Sequence, residues 1–540
     1  MKPLEKKVLL LLAMAQLILT LDSTVMNVSI STLVKDLNTT VGAVQSAIAF
    51  YTLVMAAFMI AGAKIGDIIG RKKAFIIGLC IYGTGSLITS LAPNIQVLTF
   101  GWSFLEGLGA ALVVPAMISL ISANFEKGPK RVKAYGNLAA MAAIGAAIGP
   151  IIGGLLTTYA SWRYVFAGEV LIVLFILINN KTIQDAHLVG KKPKLDWLGA
   201  GLTAAGMFVI VQGILLANTY GFFRARVPFS IGNDVVLQAG QVSPSILFVL
   251  GGLVILGIFV LWEIHRQKAK KDVLVHLRLF GNQIVQSGLG SILTLYLIMG
   301  GTMYAMALYT QVNLGYSAIL SGLTLLPMSI MIMILASRGA IMAAKFAPRY
   351  IVRGGFILVF IGAVLLGLFG KNATSGWALV PGIAVAGAGI GIIMSQLQNL
   401  VQSSVELKDA SETSGLMATF QNLGMSLGTA LSGVLLIISL LGVSTQLINQ
   451  NTQLNDTQKA QLTAAYQQNA QIASNAQVEA ATASLPPDLS NEVVEINAQA
   501  RQTALSRVFL LFGVLSLLGL VATVKLPKVK PGPNALEPNL

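Results

Sequence analysis

Three acidic residues stand in stretches too apolar to welcome a charge. Asp22 lies in the run Leu21-Asp22-Ser23-Thr24-Val25-Met26-Asn27, Glu106 in Ser103-Phe104-Leu105-Glu106-Gly107, and Glu169 a few residues after Trp162-Arg163. A carboxylate at mid-membrane depth costs about 2.5–3.5 kcal/mol on insertion scales and nearly always faces a cavity or the bundle interior. The chemistry open to such groups is the binding and release of protons. Two carboxylates close together in a low dielectric cannot both ionise cheaply. Asp22, Met26 and Ser29 share one helix face at i, i+4 and i+7, a polar and thioether stripe. The plainer alternatives are a buried structural partner for Asp22, a helix–helix hydrogen bond from Glu106, and backbone bonds at Glu169.

Two further patterns concern backbone approach. Gly62-Ala63-Lys64-Ile65-Gly66-Asp67-Ile68-Ile69-Gly70-Arg71 places Asp67 and Arg71 four apart, where a helix end brings them together. Gly66 and Gly70 let a neighbouring helix or a tight turn come close. Farther on, Gly145, Gly149 and Gly153 repeat every four residues, followed by Gly154 and interrupted by Pro150. That spacing makes a small-residue seam for close helix contact, and Pro150 removes a backbone donor and kinks the helix. Packing alone would explain a lone small-residue pair but not the extended pattern.

The elements that position these residues are transmembrane helices. The chain has 540 residues, of which 55% are hydrophobic and 11% charged, with a mean hydropathy of +0.77. A soluble domain carries about 25% charged residues. Apolar runs of about 20 residues, enough to span a bilayer, recur near 8–30, 42–63, 74–92, 97–123, 134–157, 162–179, 197–217, 244–263, 284–309, 318–337, 350–370, 377–400, 411–442 and 505–525. The first is too long for a signal-peptide core and has no small-residue cleavage site, so it is expected to remain as a span. A single cysteine, Cys80, excludes a disulfide framework, and His187, His265 and His276 all fall in polar linkers, against a metal centre. No nucleophile–base constellation or nucleotide loop points to an enzyme.

Charge orients the spans. Most of the 36 Lys and Arg fall at the N-terminus, in the 2–3, 4–5, 6–7, 8–9 and 10–11 connections and in the C-terminal tail. An even number of spans with both termini in the cytoplasm predicts this bias, so the net charge of +15 is read as topology and not as nucleic-acid binding. Residues 443–504 are rich in Gln, Asn and Ala and lie on the opposite side. Asp488 or Ser490, after Pro486-Pro487, can cap a helix running into the last span. A solvated hairpin or loop is the plain expectation there.

Together these motifs resemble the major facilitator superfamily, in particular its fourteen-span drug:proton antiporters. Asp22, Thr24 and Asn27 match the span-1 motif, residues 63–73 the loop 2–3 motif, and 136–154 the span-5 antiporter motif at each Gly and at the Pro. The resemblance implies an all-α membrane protein of two pseudo-symmetric six-helix halves around a central cavity, with spans 7 and 8 inserted between them. The expected division is 1–180 for the first half, 181–282 for the inserted spans, 283–442 for spans 9–13, 443–504 for the extracytoplasmic insert and 505–540 for span 14 and the tail. Departures from the family pattern are specific. Ala63 and Ile68 replace a Gly and a basic residue of the loop motif, and Ser103 stands where span 4 usually carries an arginine associated with proton transfer.

The resemblance also implies a function: export of lipophilic or cationic drugs across the cell membrane in exchange for protons, by alternating access of a monomer. Asp22, Glu106 and Glu169 are the proton-coupling candidates. Asp67, Gly70, Arg71, Gly145, Gly149, Pro150, Gly153 and Gly154 are expected to stabilise particular conformations. Met26, Trp102, Met117, Met303, Gln311, Gln421 and Asn422 are the candidates to line the substrate cavity, since Met repacks around varied shapes. The expected partners are the small-molecule substrate, protons and the lipid bilayer, with no cofactor, metal or nucleic acid. The alternatives are a proton-coupled exporter of one metabolite, lipid or siderophore, and a transport-dead scaffold or receptor.

Overall fold

The computed structural model describes residues 3–126, 129–185, 194–231, 234–405, 409–452, 454–468, 472–483 and 486–528. Of the loop charges used for orientation, Lys2, Lys127, Lys191, Lys192, Lys408 and Lys530 lie outside the described residues, as does His187.

Apolar runs in hydrocarbon have no water to satisfy their backbone, so they close their hydrogen bonds internally as helices. The first six are α1 (Pro3–Val28, resumed after Ser29 as Ile30–Asp36), α2 (Val41–Ile69), α3 (Arg71–Ser90), α4, α5 (Pro129–Tyr159) and α6 (Arg163–Asn179). Helix α4 starts as Ile95–Leu98, widens into a π-helix over Thr99–Glu106 and continues as Gly107–Asn124. Then come α7 (Trp197–Tyr220) and α8 (Pro244–Lys268). The second set is α9 (Gln283–Leu308, extended by a π segment Tyr309–Asn313), α10 (Ala318–Ser337), α11 (Pro348–Gly370), α12 (Val380–Ser403) and α13 (Ala410–Gln450). Two shorter helices, α14 (Asp456–Gln468) and α15 (Asn475–Ala481), precede α16 (Pro487–Ala522). Among the described residues, 13 helices are long and apolar enough to cross a membrane. Helix α5 stands at the fifth expected span with a shorter apolar stretch, Ile144–Tyr159.

Polar side chains set several helix starts, as sequence rules require. Thr40 accepts from Ala43 N before α2, Asp196 from Gly199 N before α7, Asn282 from Ile284 N before α9 and Ser317 from Leu320 N before α10.

Packing repeats from one half to the other. In the first half α1 lies on α5, α2 on α4, and α3 on both α4 and α6. In the second, α9 lies on α13, α10 on α12, and α11 on both α12 and α16. The halves meet through α2 against α13 and α5 against α10, so the second helix of each half packs on the fifth of the other. Helix α7 leans on α2 and α13 and carries α8 on its outer side. Leu250, Val254 and Leu261 of α8 are left exposed to lipid.

The membrane face where α1 begins is here called the near face and its opposite the far face. On the far face, a two-stranded antiparallel hairpin joins α7 to α8, pairing Phe229 with Leu237 and Ile231 with Asp234. An all-α reading of the sequence did not anticipate it.

The boundaries expected at 443 and 504 fall inside helices. Helix α13 continues to Gln450 and α16 begins at Pro487, because the Gln- and Ala-rich flanks are good helix formers that need no lipid. At 41 residues, α13 is about 60 Å long, roughly twice the hydrocarbon thickness. Beyond the membrane, Ile448, Leu454 and Ile496 form a small core with Leu462 and Tyr466 around them. Burial there pushes the Tyr466 hydroxyl up to about 12. Arg501 ties this cap to the bundle, donating to Asn475 Oδ1 at 2.8 Å, to Asn313 Oδ1 at 3.3 Å and to the Ala473 carbonyl.

Candidate functional site

The first half converges on its acids. Asp22 of α1, Glu106 of α4 and Glu169 of α6 are fully or almost fully buried, and each offers a carboxylate oxygen within 4.8 Å of the others. Glu106 ends the π segment of α4, a distortion often found at functional sites because it re-aims side chains. Gly85 of α3 makes the room. A Cβ there would lie 2.7 Å from Glu106 Cγ and 2.6 Å from the Gly101 carbonyl.

Neutral donors hold one oxygen of each acid. Trp102 Nε1 donates to Asp22 Oδ1 at 2.8 Å, and its ring stacks on Tyr51 at a centroid distance of 5.0 Å. Thr89 donates to Glu106 Oε1 at 3.3 Å. Tyr82 and Ser86 both donate to Glu169 Oε2, at 3.1 and 3.2 Å. Among the described residues, the other oxygens, Asp22 Oδ2, Glu106 Oε2 and Glu169 Oε1, have no close hydrogen-bond partner, and the buried Tyr51 hydroxyl lies beside Asp22. Leaving a buried acceptor unmet costs about 1–3 kcal/mol, more when it is charged. Such an arrangement is equipped to take up protons or a cation. The donors Tyr82, Ser86 and Thr89 were not singled out from sequence, although their i, i+4, i+7 spacing on α3 is a readable polar stripe.

The glycine-rich seam of α5 lies against α1, the helix that carries Asp22. A Cβ at Gly145 would lie 3.0 Å from the Leu17 carbonyl, one at Gly149 would run into the Thr24 side chain, and one at Gly153 would lie 2.7 Å from Val25 Cγ1. Gly154 faces the other half, where a Cβ would sit 2.6 Å from Ile319 Cα. The Pro150 carbonyl abuts Gly322 of α10. One turn of sequence therefore touches both the acid-bearing helix and the opposite half.

At the near face, Asp67 and Arg71 form an ion pair, and Arg71 also donates to the Ala63 carbonyl at 3.2 Å. Gly70 adopts φ +103°, which favours glycine, at the turn between α2 and α3. Asp185, beyond α6, accepts from Lys72 N at 2.9 Å and was not anticipated.

The expected cavity residues separate. Trp102 joins the acid cluster. Met26, Met117 and Met303 are buried, while Gln421 and Asn422 are half-buried on α13, with Asn422 donating to the Ala418 carbonyl at 2.9 Å. Gln311 lies away from the acids and fastens the halves together. It donates to the Asn27 carbonyl at 3.0 Å and accepts from Ser31 N at 2.9 Å. Gln45 donates to the Thr429 carbonyl at 2.7 Å, Ser426 to the Ala49 carbonyl at 2.7 Å, and Ile319 N to Thr158 at 3.2 Å. All these bonds lie toward the far face. Toward the near face, a Cβ at Gly415 of α13 would make ordinary contact with α2, 3.9 Å from Ile60 Cα.

Comparison with known proteins agrees with this architecture. The sequence profile of the Major Facilitator Superfamily matches residues 12–429. The chain is 28% identical to the probable actinorhodin transporter of Streptomyces coelicolor, over 77% of this chain and 69% of that one. It is 28% identical to the puromycin resistance protein pur8 of Streptomyces alboniger, over 78% and 80%. It is 30% identical to the uncharacterized MFS-type transporter EfpA of Mycobacterium tuberculosis, over 76% and 73%. Among solved structures, a bacterial homologue of the human lysosomal transporter Spinster, in an inward-facing and unoccupied conformation, aligns with a TM-score of 0.62 at 13% identity. That alignment covers 97% of this chain and 98% of that one.

Proposed function

We propose that this chain, which belongs to the Major Facilitator Superfamily and is a multi-pass membrane transporter rather than an enzyme, exports lipophilic or cationic drugs in exchange for protons. The observation that carries the coupling is the meeting of Asp22, Glu106 and Glu169 in the buried interior of the first half, each with an oxygen that has no close hydrogen-bond partner among the described residues. Among the described residues none of the three is in an ion pair with Lys, Arg or His, so proton uptake is the direct way to relieve their charge. The relatives named for actinorhodin transport and puromycin resistance support antibiotic-like substrates.

In the mechanism, the halves rock about a midplane site, as helical-repeat transporters do. The bonds made by Gln311, Gln45 and Ser426 hold the far face closed. Proton binding at the acids and substrate binding in the cavity alternate, and the α5 seam carries the change from α1 to α10. Met26, Met117 and Met303 supply an adaptable lining. Asp67, Arg71 and Gly70 steady the near face. The near face is the cytoplasmic one and the membrane is the cell membrane, in keeping with the distribution of Lys and Arg.

Reconstituted protein tests this reading. A pH gradient is imposed on proteoliposomes, and proton flux is recorded as lipophilic cations and neutral drugs are added in turn. Flux triggered by several unrelated compounds supports multidrug antiport. Flux triggered by one compound alone supports the narrower reading, an exporter of a single metabolite, to which relatives named for single antibiotics also lend weight. No flux in folded protein would exclude both and leave a scaffold.

A further inference from the structure

We infer that the near-face ends of α11 and α16 form a site for an anionic phospholipid of the adjoining leaflet, with the guanidinium groups of Arg349 and Arg353 taking its phosphate. The sequence supplies the charge imbalance. No Asp or Glu occurs from residue 273 to 405 or from 496 to 536, so α9 to α12 and the membrane part of α16 are free of acids. Their near-face ends nevertheless carry Arg349, Arg353, Lys525 and Lys528. Tertiary contacts bring these cations to one place. Arg349 N donates to the Pro527 carbonyl at 3.3 Å, so the first turn of α11 lies against the chain leaving α16. One turn on, Arg353 Nε donates to Thr523 Oγ1 at 2.9 Å. The exposed Lys525 and Lys528 flank those two acceptors, and Lys525 donates only to the neutral Gln286.

Among the described residues no carboxylate pairs with any of the four. Asp409 and Glu412, the acids of α13 nearest this face, are engaged by Arg278 and His276. Cations at a helix C-terminus offset its dipole, which accounts for part of the cluster but not for the donors left over. Arg353 uses only its Nε, and the buried Nε of Arg349 meets no acceptor. A guanidinium with open Nη groups is a planar fork that fits phosphate oxygens. Here two such side chains, both half-buried, stand at i and i+4 on one helix.

The surroundings select a lipid over a soluble anion. Phe346 and Tyr350 are exposed beside the cluster, where aromatic rings settle at headgroup level. Toward the bilayer centre α11 exposes Ile357 and α16 exposes Val521, an apolar track for acyl chains directly inside the cations. Gly354 adds a notch on α11, with nothing within 4 Å of where its Cβ would stand. A zwitterionic lipid would bring its own cation to a patch that is already positive, whereas an anionic one brings none. Basic pockets between membrane helices hold anionic headgroups in this way.

The test uses full-length protein in an uncharged maltoside detergent, titrated with phosphatidylglycerol or with phosphatidylcholine of the same acyl chains. Native mass spectrometry counts the lipids retained, and thermal unfolding is followed in parallel. The expected result is saturable retention of phosphatidylglycerol with a rise in melting temperature, and neither effect with phosphatidylcholine. Its apparent affinity should fall roughly tenfold or more in the double variant Arg349→Gln, Arg353→Gln. Lys525→Gln, Lys528→Gln should weaken it in the same direction, and because both side chains are exposed this pair carries the test if the arginine variant does not fold. Lys268→Gln, Lys271→Gln removes the same charge from the same face at the end of α8 and should leave binding unchanged. Equal retention of the two lipids overturns the inference, as does wild-type retention in the variants at α11 and α16. An equal loss in the α8 control also overturns it, by showing attraction to the basic face at large. Inorganic phosphate giving the same protection would make the cluster a free-anion site and overturn the lipid assignment.

Discussion

The indole of Trp102 on α4 donates a 2.8 Å hydrogen bond to the Asp22 carboxylate on α1. This bond gives a buried acid inside the membrane a neutral donor and leaves its other oxygen, Oδ2, without a close partner among the described residues. Trp102→Phe keeps the stack on Tyr51 and removes the donor. A hydrogen bond to a charged group contributes about 1.5–3 kcal/mol, so compound-driven proton flux is expected to fall by roughly one to two orders of magnitude while the protein remains folded. Initial rates in proteoliposomes, with the melting temperature measured alongside, check this. An unchanged rate would remove Trp102 from the coupling machinery.

The seam between α5 and α1 leaves no space at Gly149. Gly149→Ala is expected to abolish transport and to destabilise the fold by about 1–3 kcal/mol, the usual cost of overpacking, because the added methyl meets the Thr24 side chain. Trimming that side chain in the double variant Gly149→Ala, Thr24→Ala should recover part of both. Gly415→Ala, where the nearest neighbours are 3.9 Å away, serves as the tolerated control. Transport rates and thermal unfolding of the four proteins give the comparison.

Gln311 makes two bonds across the halves and Gln45 anchors a second crossing. At about 1 kcal/mol net per hydrogen bond, Gln311→Leu should shift the balance toward an open far face by roughly one order of magnitude. Spin labels at Leu37→Cys and Leu314→Cys, in a Cys80→Ser background, report the far-face separation. A longer distance population is expected in Gln311→Leu, whereas an unchanged distribution would show that Gln311 does not hold the far face.

Arg501 is 2% exposed and tethers the extramembrane cap to α9 and α15. Arg501→Ala strips the Ala473 carbonyl and Asn475 of a charged donor and is expected to cost about 3 kcal/mol or more. Limited proteolysis should then cut between α14 and α16 before the membrane helices unfold. Cutting at the wild-type rate would mean that the small core around Ile448 holds the cap without it.

Some of this was legible in the sequence, and the reasons differ by element. The spans could be read because charges and turn residues bracket apolar runs in a medium that tolerates neither. The contacts of the α5 seam were foreshadowed by a four-residue spacing, because that spacing is local to one helix. The hairpin at Phe229–Leu237 was not legible, since its strands are three and four residues long and lack a strong alternating pattern. The helix that runs into the last span was foreshadowed by Pro486-Pro487, whereas the length of α13 beyond the membrane was not legible, because a change in hydropathy marks the bilayer rather than the helix end. Gln311 reads equally well as a cavity residue or a cross-half fastener until tertiary pairing sets Asn27 and Ser31 beside it. The hydroxyl stripe on α3 was readable, but only the fold shows that it faces acids on two other helices.

The most direct test of the central claim is substrate-triggered proton flux in proteoliposomes, comparing wild type with Asp22→Asn, Glu106→Gln and Glu169→Gln. These near-isosteric changes remove a titratable group with little change in packing. The account expects wild-type protein to move protons when a transported drug is added, and at least Asp22→Asn to lose that response while still binding the drug. Undiminished flux in all three variants would contradict it and place coupling outside the cluster.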